Sequence, residues 1–371
     1  MKRYLATLLA LAASQAQAQS SVTLYGTFDE YLGYISSSSG NHVLGLNDGA
    51  LIRSRIGVRG AEYLADGYQL TFVLEHGFDL NDGTDADSSR LFDRQAWVGI
   101  STPSGEVRMG RQNSAIFAAG DAIDYTGRTS YGSVINYVQT PSRYNNDLAY
   151  FSPRLGGLQL TVHYALPENG TGTAGNQAIY QLALDYRNGP YRLGYAGISA
   201  SPNRATTTVD RDVVAHNLYA DYTYGAGTIY TAFVHTNNVT SSSSGATAGA
   251  ILSPVGSTNF FPGTDVNALR FYNVFQLSAD YRFNDHWKVG ALAGVIHDAS
   301  GQDSGARGAN VGVFYNLSKR TALYGFVNYL DNQANAGFRF GGSAAPTSNL
   351  SGADVNGQRM VGVQVGLMSS F

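Results

Sequence analysis

From about residue 20 onward, apolar and polar positions alternate along most of the chain with a period of two. In Leu158-Gln159-Leu160-Thr161-Val162-His163-Tyr164 every even position is apolar and every odd one polar, and Tyr180-Gln181-Leu182-Ala183-Leu184-Asp185-Tyr186 repeats the scheme apart from Ala183. Successive side chains of a strand point to opposite faces, so such runs predict two-faced strands. Sixteen runs of this kind begin near Val22, Leu51, Gly67, Leu91, Gly105, Ser142, Gly157, Gln177, Pro190, Val213, Gly227, Leu269, Trp287, Gly308, Thr321 and Gln358.

The connections fall into two sets that take turns along the chain. The short set includes Thr102-Pro103-Ser104, Asn188-Gly189, Gly225-Ala226-Gly227 and Asn284-Asp285-His286, all rich in turn formers. The long set runs Ser36 to Ala50, Asp79 to Arg90, Gln112 to Pro141, Leu166 to Asn176, Ser199 to Asp212, Thr236 to Ala268, Asp298 to Arg307 and Asp331 to Gly357. Strict alternation of long and short connections is what an up-and-down barrel gives when one rim faces the periplasm and the other faces outward. The pattern therefore predicts an all-β, 16-stranded antiparallel transmembrane β-barrel with short periplasmic turns and long extracellular loops.

A soluble sandwich also alternates, so the polar face decides. It carries Gln159, Thr161, His163, Gln181, Asp185, Gln276, Ser278, Asp280 and Arg282, too polar for a packed core without extensive pairing. The polar face is expected to be wet and the apolar face to meet lipid. Tyr219, Tyr222, Tyr224, Tyr281 and Phe283 near strand ends suit aromatic girdles at the membrane interfaces. Thr240 to Ala250 is a low-complexity stretch within one loop, and no domain boundary is visible.

Residues 1–18 read Lys2-Arg3, an apolar stretch from Leu5 to Ala13, then Ala16-Gln17-Ala18, the order of a secretory signal peptide. Cleavage after Ala18 leaves 19–371 as the barrel, and no later apolar run is long enough for a spanning helix. Losing Lys2 and Arg3 moves the net charge from −3 to about −5, which argues against nucleic acid as a partner. Charged residues make up 14% of the chain, well under the roughly 25% of soluble domains. There is no Cys, which excludes disulfides and zinc–thiolate sites.

The segments Ser21-Val22-Thr23-Leu24-Tyr25-Gly26, Ser54-Arg55-Ile56-Gly57-Val58-Arg59-Gly60, Leu91-Phe92-Asp93-Arg94-Gln95-Ala96-Trp97-Val98-Gly99, Met109-Gly110-Arg111-Gln112 and the terminal Phe371 resemble the general-diffusion porins of Gram-negative outer membranes, of the trimeric beta-proteobacterial type. Val361, Val363, Val365, Leu367 and Ser369 form an outward comb ending in Phe371, similar to the family's assembly signal except at Ser369. The resemblance implies a homotrimer in outer-membrane lipid, with the third long loop (112–141) folded inward as a constriction.

On the second strand Arg53, Arg55 and Arg59 share one parity, opposite Ile52, Ile56 and Val58. Arg on the lipid side near mid-membrane would cost about 2–4 kcal/mol each, so this row should face the lumen. Arg143 follows the third loop and alternates with Tyr144, Leu148 and Tyr150, while Glu75 shares inward parity with Gln69, Thr71 and Val73. The family match implies that Arg55, Arg94 and Arg143, with Arg53 and Arg111 as neighbours, form the basic wall of the eyelet. It implies Glu75, Asp121 and Asp124 as the acidic counterpart. Such an arrangement sets a transverse field that filters ions without chemistry. The third loop lacks the Pro-Glu-Phe-Gly turn common in porins, which leaves open which acid points at the eyelet.

The expected function is a passive channel for ions and small hydrophilic solutes with a slight preference for anions, needing no cofactor or metal. One rival is a substrate-specific channel for small carboxylates, which the Arg row could hold by bidentate contacts. The other is an outer-membrane hydrolase, against which stands the lack of HExxH, GxSxG or any partner motif for the seven His residues. Asp79, Asn81, Asp82, Asp85 and Asp87 cluster in the second long loop, but Gly83 falls where an EF-hand needs a ligand, so a solvated acidic loop is expected.

Overall fold

A computed structural model describes residues 20–64, 66–138, 142–166, 178–200, 212–237, 271–299, 301, 303–341, 346 and 348–371. The leader at 1–18, the low-complexity stretch 240–250 and most of the long connections after residues 166, 199 and 236 lie outside them. The strands are β1 (Ser21–Ser37), β2 (His42–Asp48), β3 (Arg55–Tyr63), β4 (Gln69–Gly77), β5 (Gln95–Thr102), β6 (Gly105–Asn113), β7 (Arg143–Phe151), β8 (Leu158–Ala165) and β9 (Ile179–Asn188). They continue as β10 (Tyr191–Ala200), β11 (Val213–Tyr224), β12 (Gly227–Thr236), β13 (Tyr272–Arg282), β14 (Trp287–Asp298), β15 (Ala306–Asn316), β16 (Thr321–Asn332) and β17 (Arg359–Ser370). Every neighbour pair is antiparallel, and β17 pairs back onto β1, so the sheet closes.

Seventeen segments make sixteen staves because β2 and β3 share one. The upper half of β1 pairs with β2 and its lower half with β3. This corrects the expected long loop from Ser36 to Ala50: the chain turns over at residues 38–41 and comes back as β2. The break at 49–54 is held by two carboxylates. Asp29 Oδ2 accepts from the backbone N–H of Leu51 (2.7 Å) and Ile52 (2.8 Å), and Asp48 Oδ2 accepts from Ser54 N–H (3.1 Å). Buried backbone donors that leave a ladder need such partners.

At the seam Phe371 N–H donates to Gly26 O (3.0 Å) and Gly26 N–H to Phe371 O (3.2 Å). A Cβ on Gly26 would lie 2.4 Å from the Phe371 ring, so only glycine lets the terminal aromatic lie flat on the first strand.

The alternation sorts as the sequence pattern requires. Leu24, Leu32, Leu46, Ile100, Met109, Leu148, Leu182, Leu218, Leu277 and Val365 are exposed on the outer wall, where strands of a membrane barrel meet hydrocarbon. Close to the short turns the outer wall carries ring pairs: Tyr191–Tyr222 (centroids 5.0 Å apart), Tyr281–Phe283 (5.2 Å) and Trp287–Tyr315 (4.7 Å). Tyr219 does not join this girdle. It is buried on the inner face, with Arg192 5.5 Å over its ring.

Residues 114–138 lie inside the barrel and cover much of the polar face expected to be wet. Inward side chains accept the loop's backbone donors: Gln181 Oε1 from Ala115 (2.8 Å), Ser278 Oγ from Tyr125 (3.2 Å), Gln276 Oε1 from Ile135 (3.2 Å) and Gln364 Oε1 from Tyr131 (3.2 Å). A buried loop must find partners for its peptide groups, and this wall of amides and hydroxyls supplies them. Ile116, Ile123, Val134 and Tyr131 fill the space between, packed with Tyr31, Phe326 and Phe340. The last long connection also turns inward. Its Phe340 stacks on Tyr131 at 5.5 Å and its Phe338 meets Tyr272 edge-on at 5.9 Å.

Candidate pore constriction

The third loop begins with a single helical turn, α1 (Ala115–Ala118), capped by Ser114, whose Oγ accepts from Phe117 N–H. This turn pushes Phe117 into the lumen. Arg143, the first residue of β7, lies 5.1 Å from the Phe117 ring centroid, and Arg128 lies 5.9 Å from it. Cations near an aromatic face are attracted to its quadrupole, which holds both guanidiniums beside the ring.

On the β3–β5 wall a second arrangement fixes two more cations. Arg94 Nε lies 2.7 Å from Glu75 Oε1, Arg55 Nη1 lies 3.7 Å from Glu75 Oε2, and Tyr25 OH donates to Oε2 at 3.0 Å. Arg94 precedes β5 and escapes its alternation because its N–H bonds Glu75 O, the residue that Gln95 already faces, so two residues oppose one as in a bulge. Glu75 itself is only 3% exposed. Its charge is covered by the two arginines, so it positions them and offers little negative charge to solvent.

These groups surround a cavity of about 850 Å³ in the lumen. Among the described residues seven basic side chains line it, Arg55, Arg94, Arg128, Arg143, Arg187, Arg192 and Lys288, against one acid, Asp121. The cations stand on both sides, so a simple basic wall facing an acidic loop is not what the geometry gives. Arg192 Nη1 lies 3.1 Å from Asp121 Oδ2 while its Nη2 lies 2.7 Å from Asp185. Lys288 Nζ sits 4.2 Å over the Phe314 ring and 3.9 Å from Asp280.

The candidate residues separate clearly. Arg55, Arg94, Arg143 and Asp121 converge on the cavity, and the Asp121 carboxyl is 68% exposed. Asp124 is 1% exposed. Its Oδ1 accepts from Thr126 N–H and OH and from Arg128 N–H, and its Oδ2 accepts from Ser133 OH (2.6 Å) and Gln276 Nε2 (2.8 Å). It ties the loop to itself and to β13. Arg53 belongs to the break between β2 and β3 and reaches Asp79 at 2.5 Å instead of the cavity. Arg111 sits at a bulge between β6 and β7 and donates to Asp93 O and Asn145 Oδ1. The same bulge shifts Tyr144 off the parity of Leu148 and Tyr150, and it is fully buried where they are exposed.

Arg128, Arg187, Arg192 and Lys288 were not singled out from sequence. The signal existed for three of them. Arg187 alternates with Leu184 and Tyr186, Arg192 with Tyr191 and Leu193, and Lys288 with Trp287 and Val289, so parity alone turns them inward. The second-loop acids are each engaged separately: Asp79 with Arg53, Asp82 with Thr84, Asp85 with His76 and Asp87 with Ser89 and Arg90. Among the described residues no three His, Cys, Asp or Glu gather as a metal site. His163, for which the sequence showed no partner motif, is buried against Asp147 at 2.7 Å.

Known proteins match both the sequence and the shape. A profile of Gram-negative porins covers residues 6–335. An outer membrane porin protein of Bordetella pertussis is 31% identical over 367 residues, spanning 89% of this chain and 94% of that protein. Outer membrane porin protein 32 of Delftia acidovorans is 30% identical over 388 residues, the full length of both. Among solved structures an anion-selective porin from Comamonas acidovorans superposes with a TM-score of 0.76 at 25% identity, covering 95% of this chain and all of that one.

Proposed function

The chain belongs to the Gram-negative porin family, and from that premise we propose that this outer-membrane channel passes small hydrophilic solutes and ions through an eyelet that favours anions. It is a passive pore and not an enzyme. The observation that carries the anion preference is that, among the described residues, seven basic side chains line the luminal cavity against Asp121 on the lining and Glu75, Asp185 and Asp280 paired behind it, which leaves the cations in excess. A fixed positive field at a narrow point raises the local anion concentration and lowers that of cations, whatever the charge of distant loops screened beyond about 10 Å at 0.1 M salt. The Comamonas acidovorans relative is described as anion-selective, which agrees.

In this reading Arg55, Arg94 and Arg143 form one side of the constriction, Arg192 and Lys288 the other, and the third loop, described over 112–138, narrows it between them. The working form is a homotrimer. The outer wall at the β1–β17 seam, where Phe28 lies 5.3 Å from Phe371 and 6.2 Å from Phe78, is the apolar surface best suited to bury against a neighbour. A planar bilayer with a tenfold KCl gradient tests the channel reading: the reversal potential should carry the sign of chloride selectivity, and the potassium sign would refute it.

A second reading is favoured by one detail. Nε and Nη2 of Arg143 are buried without a hydrogen-bond acceptor from the protein, and buried donors of this kind are normally satisfied. A carboxylate in the lumen would satisfy them bidentately once the Arg143 side chain turned outward to meet it. Current that saturates with, and is blocked by, a small dicarboxylate would support a substrate-specific channel, whereas conductance linear in salt supports general diffusion.

A further inference from the structure

The seven basic side chains around the luminal cavity are not equivalent. Arg55, Arg94, Arg187, Arg192 and Lys288 each lie 2.7–3.9 Å from a carboxylate. Arg128 and Arg143 form no ion pair among the described residues, and both flank one ring, their guanidinium carbons 5.9 and 5.1 Å from the Phe117 centroid. The charges that the protein leaves unneutralised in this cavity therefore meet at Phe117.

The cavity contains two cation–aromatic contacts, one closed and one open. Phe314 is buried, with Lys288 Nζ 4.2 Å over its face and Tyr125 edge-on at 6.2 Å. On the short turn α1, Ala115 and Ile116 are likewise buried, but Phe117 stays partly exposed and lines the lumen. Neither guanidinium covers its ring as closely as Lys288 covers Phe314. An apolar ring left partly in water forgoes the burial that Ile116 beside it achieves.

Arg128 reaches this position through a conformation that side chains disfavour. Its φ is 65°, in the left-handed region that a residue with a Cβ seldom enters. The buried Asp124 imposes it by accepting Arg128 N–H on Oδ1 at 3.0 Å. Backbone strain of this kind persists only where the surroundings enforce it, and here it accompanies an unpaired cation held beside an open ring.

Two unneutralised guanidiniums at one open aromatic face are complementary to a flat ring carrying a single negative charge. We propose that Phe117, Arg128 and Arg143 form a subsite for aromatic monocarboxylates. The solute's ring lies against Phe117, and its carboxylate meets Arg128 and, once it turns outward, Arg143. The subsite rests on the anion-pore reading above and adds to it a choice among solutes of equal charge.

The test uses the purified full-length protein in a planar bilayer in KCl at pH 7, with benzoate and cyclohexanecarboxylate compared as blockers of the chloride current. Both acids are ionised there. The saturated acid has the same charge and a similar size but no π face, so burial of apolar area alone puts it at no disadvantage. Benzoate should block about fivefold more tightly. Phe117→Leu should bring the two acids level, Phe117→Tyr should keep the preference, and Arg143→Gln should weaken block by both about tenfold. A wild-type pore that selects chloride but holds the two acids equally would overturn the subsite alone, and this comparison needs no variant to fold. A preference that survives Phe117→Leu would do the same, as would tighter block by succinate than by benzoate, which would assign the guanidiniums to dicarboxylates. A pore that selects potassium would overturn the anion reading and the subsite with it.

Discussion

Arg94 and Glu75 form the most enclosed ion pair of the constriction, Nε to Oε1 at 2.7 Å with side chains 6% and 3% exposed. A carboxylate sealed under two guanidiniums acts as a fixed foot for both. Replacing Glu75 by Gln keeps the shape and removes the charge. Arg55 and Arg94 then gain positive potential but lose their anchor. The reversal potential in a salt gradient should move further toward anions, and thermal unfolding should report a loss of about 1–3 kcal/mol. A shift toward cations would mean that Glu75 contributes to the eyelet directly.

Arg143 differs from that pair because its polar contact within the protein is Ser142 Oγ at 3.0 Å, with Phe117 beneath. Arg143→Gln should therefore lower anion selectivity with little effect on stability, under about 1 kcal/mol. The double change of Arg55 and Arg94 to Gln should lower selectivity more but also destabilise, since it strands Glu75. Comparing reversal potential with melting temperature across the two separates field from scaffold.

Much of this was legible in the sequence. Period-two alternation placed the strands, and the parity of Arg55 and Glu75 gave their direction, because a one-residue slip would put charge into lipid. Parity failed where the ladder itself is interrupted. The carboxylates of Asp29 and Asp48 replace ladder partners at 49–54, which hid β2 and took Arg53 out of the row. The bulge beside Arg111 moved Tyr144. The difference between Asp121 and Asp124, three residues apart in one loop, depends on which one finds Ser133 and Gln276, and a contact across 152 positions leaves no local mark.

That difference is measurable. Asp124→Asn puts an amide N–H against donors on at least one side, Thr126 and Arg128 or Ser133 and Gln276, so the loop loses its tie. We expect a stability loss of about 2–3 kcal/mol and noisier single-channel current, with a small change in selectivity. Asp121→Asn, on an exposed carboxyl paired with Arg192, should instead leave stability nearly unchanged and shift the reversal potential toward anions. The opposite assignment of effects would exchange the two roles.

At the outer rim, Asp354 of the last long connection holds the β1–β2 turn: Ser39 Oγ and Asn41 Nδ2 both donate to its Oδ1 at 2.8 Å. Those two hydrogen bonds hold the Asp354 carboxyl below its ordinary value. A group with a depressed folded pKa binds its proton more weakly in the folded state, so its contribution is complete above the ordinary carboxylate pKa near 3.9. It fades as pH falls through the lower folded value. Between pH 8 and 5 the contact should be constant, and below about pH 4 the last connection should detach from the turn. Hydrogen exchange at residues 38–41 and 352–356, followed from pH 7 to pH 3 with intrinsic rates corrected, should show protection falling only in the acid range. In Asp354→Ala, which removes the shared acceptor, protection should be low throughout and independent of pH, and a wild-type profile in that variant would assign the acid sensitivity elsewhere.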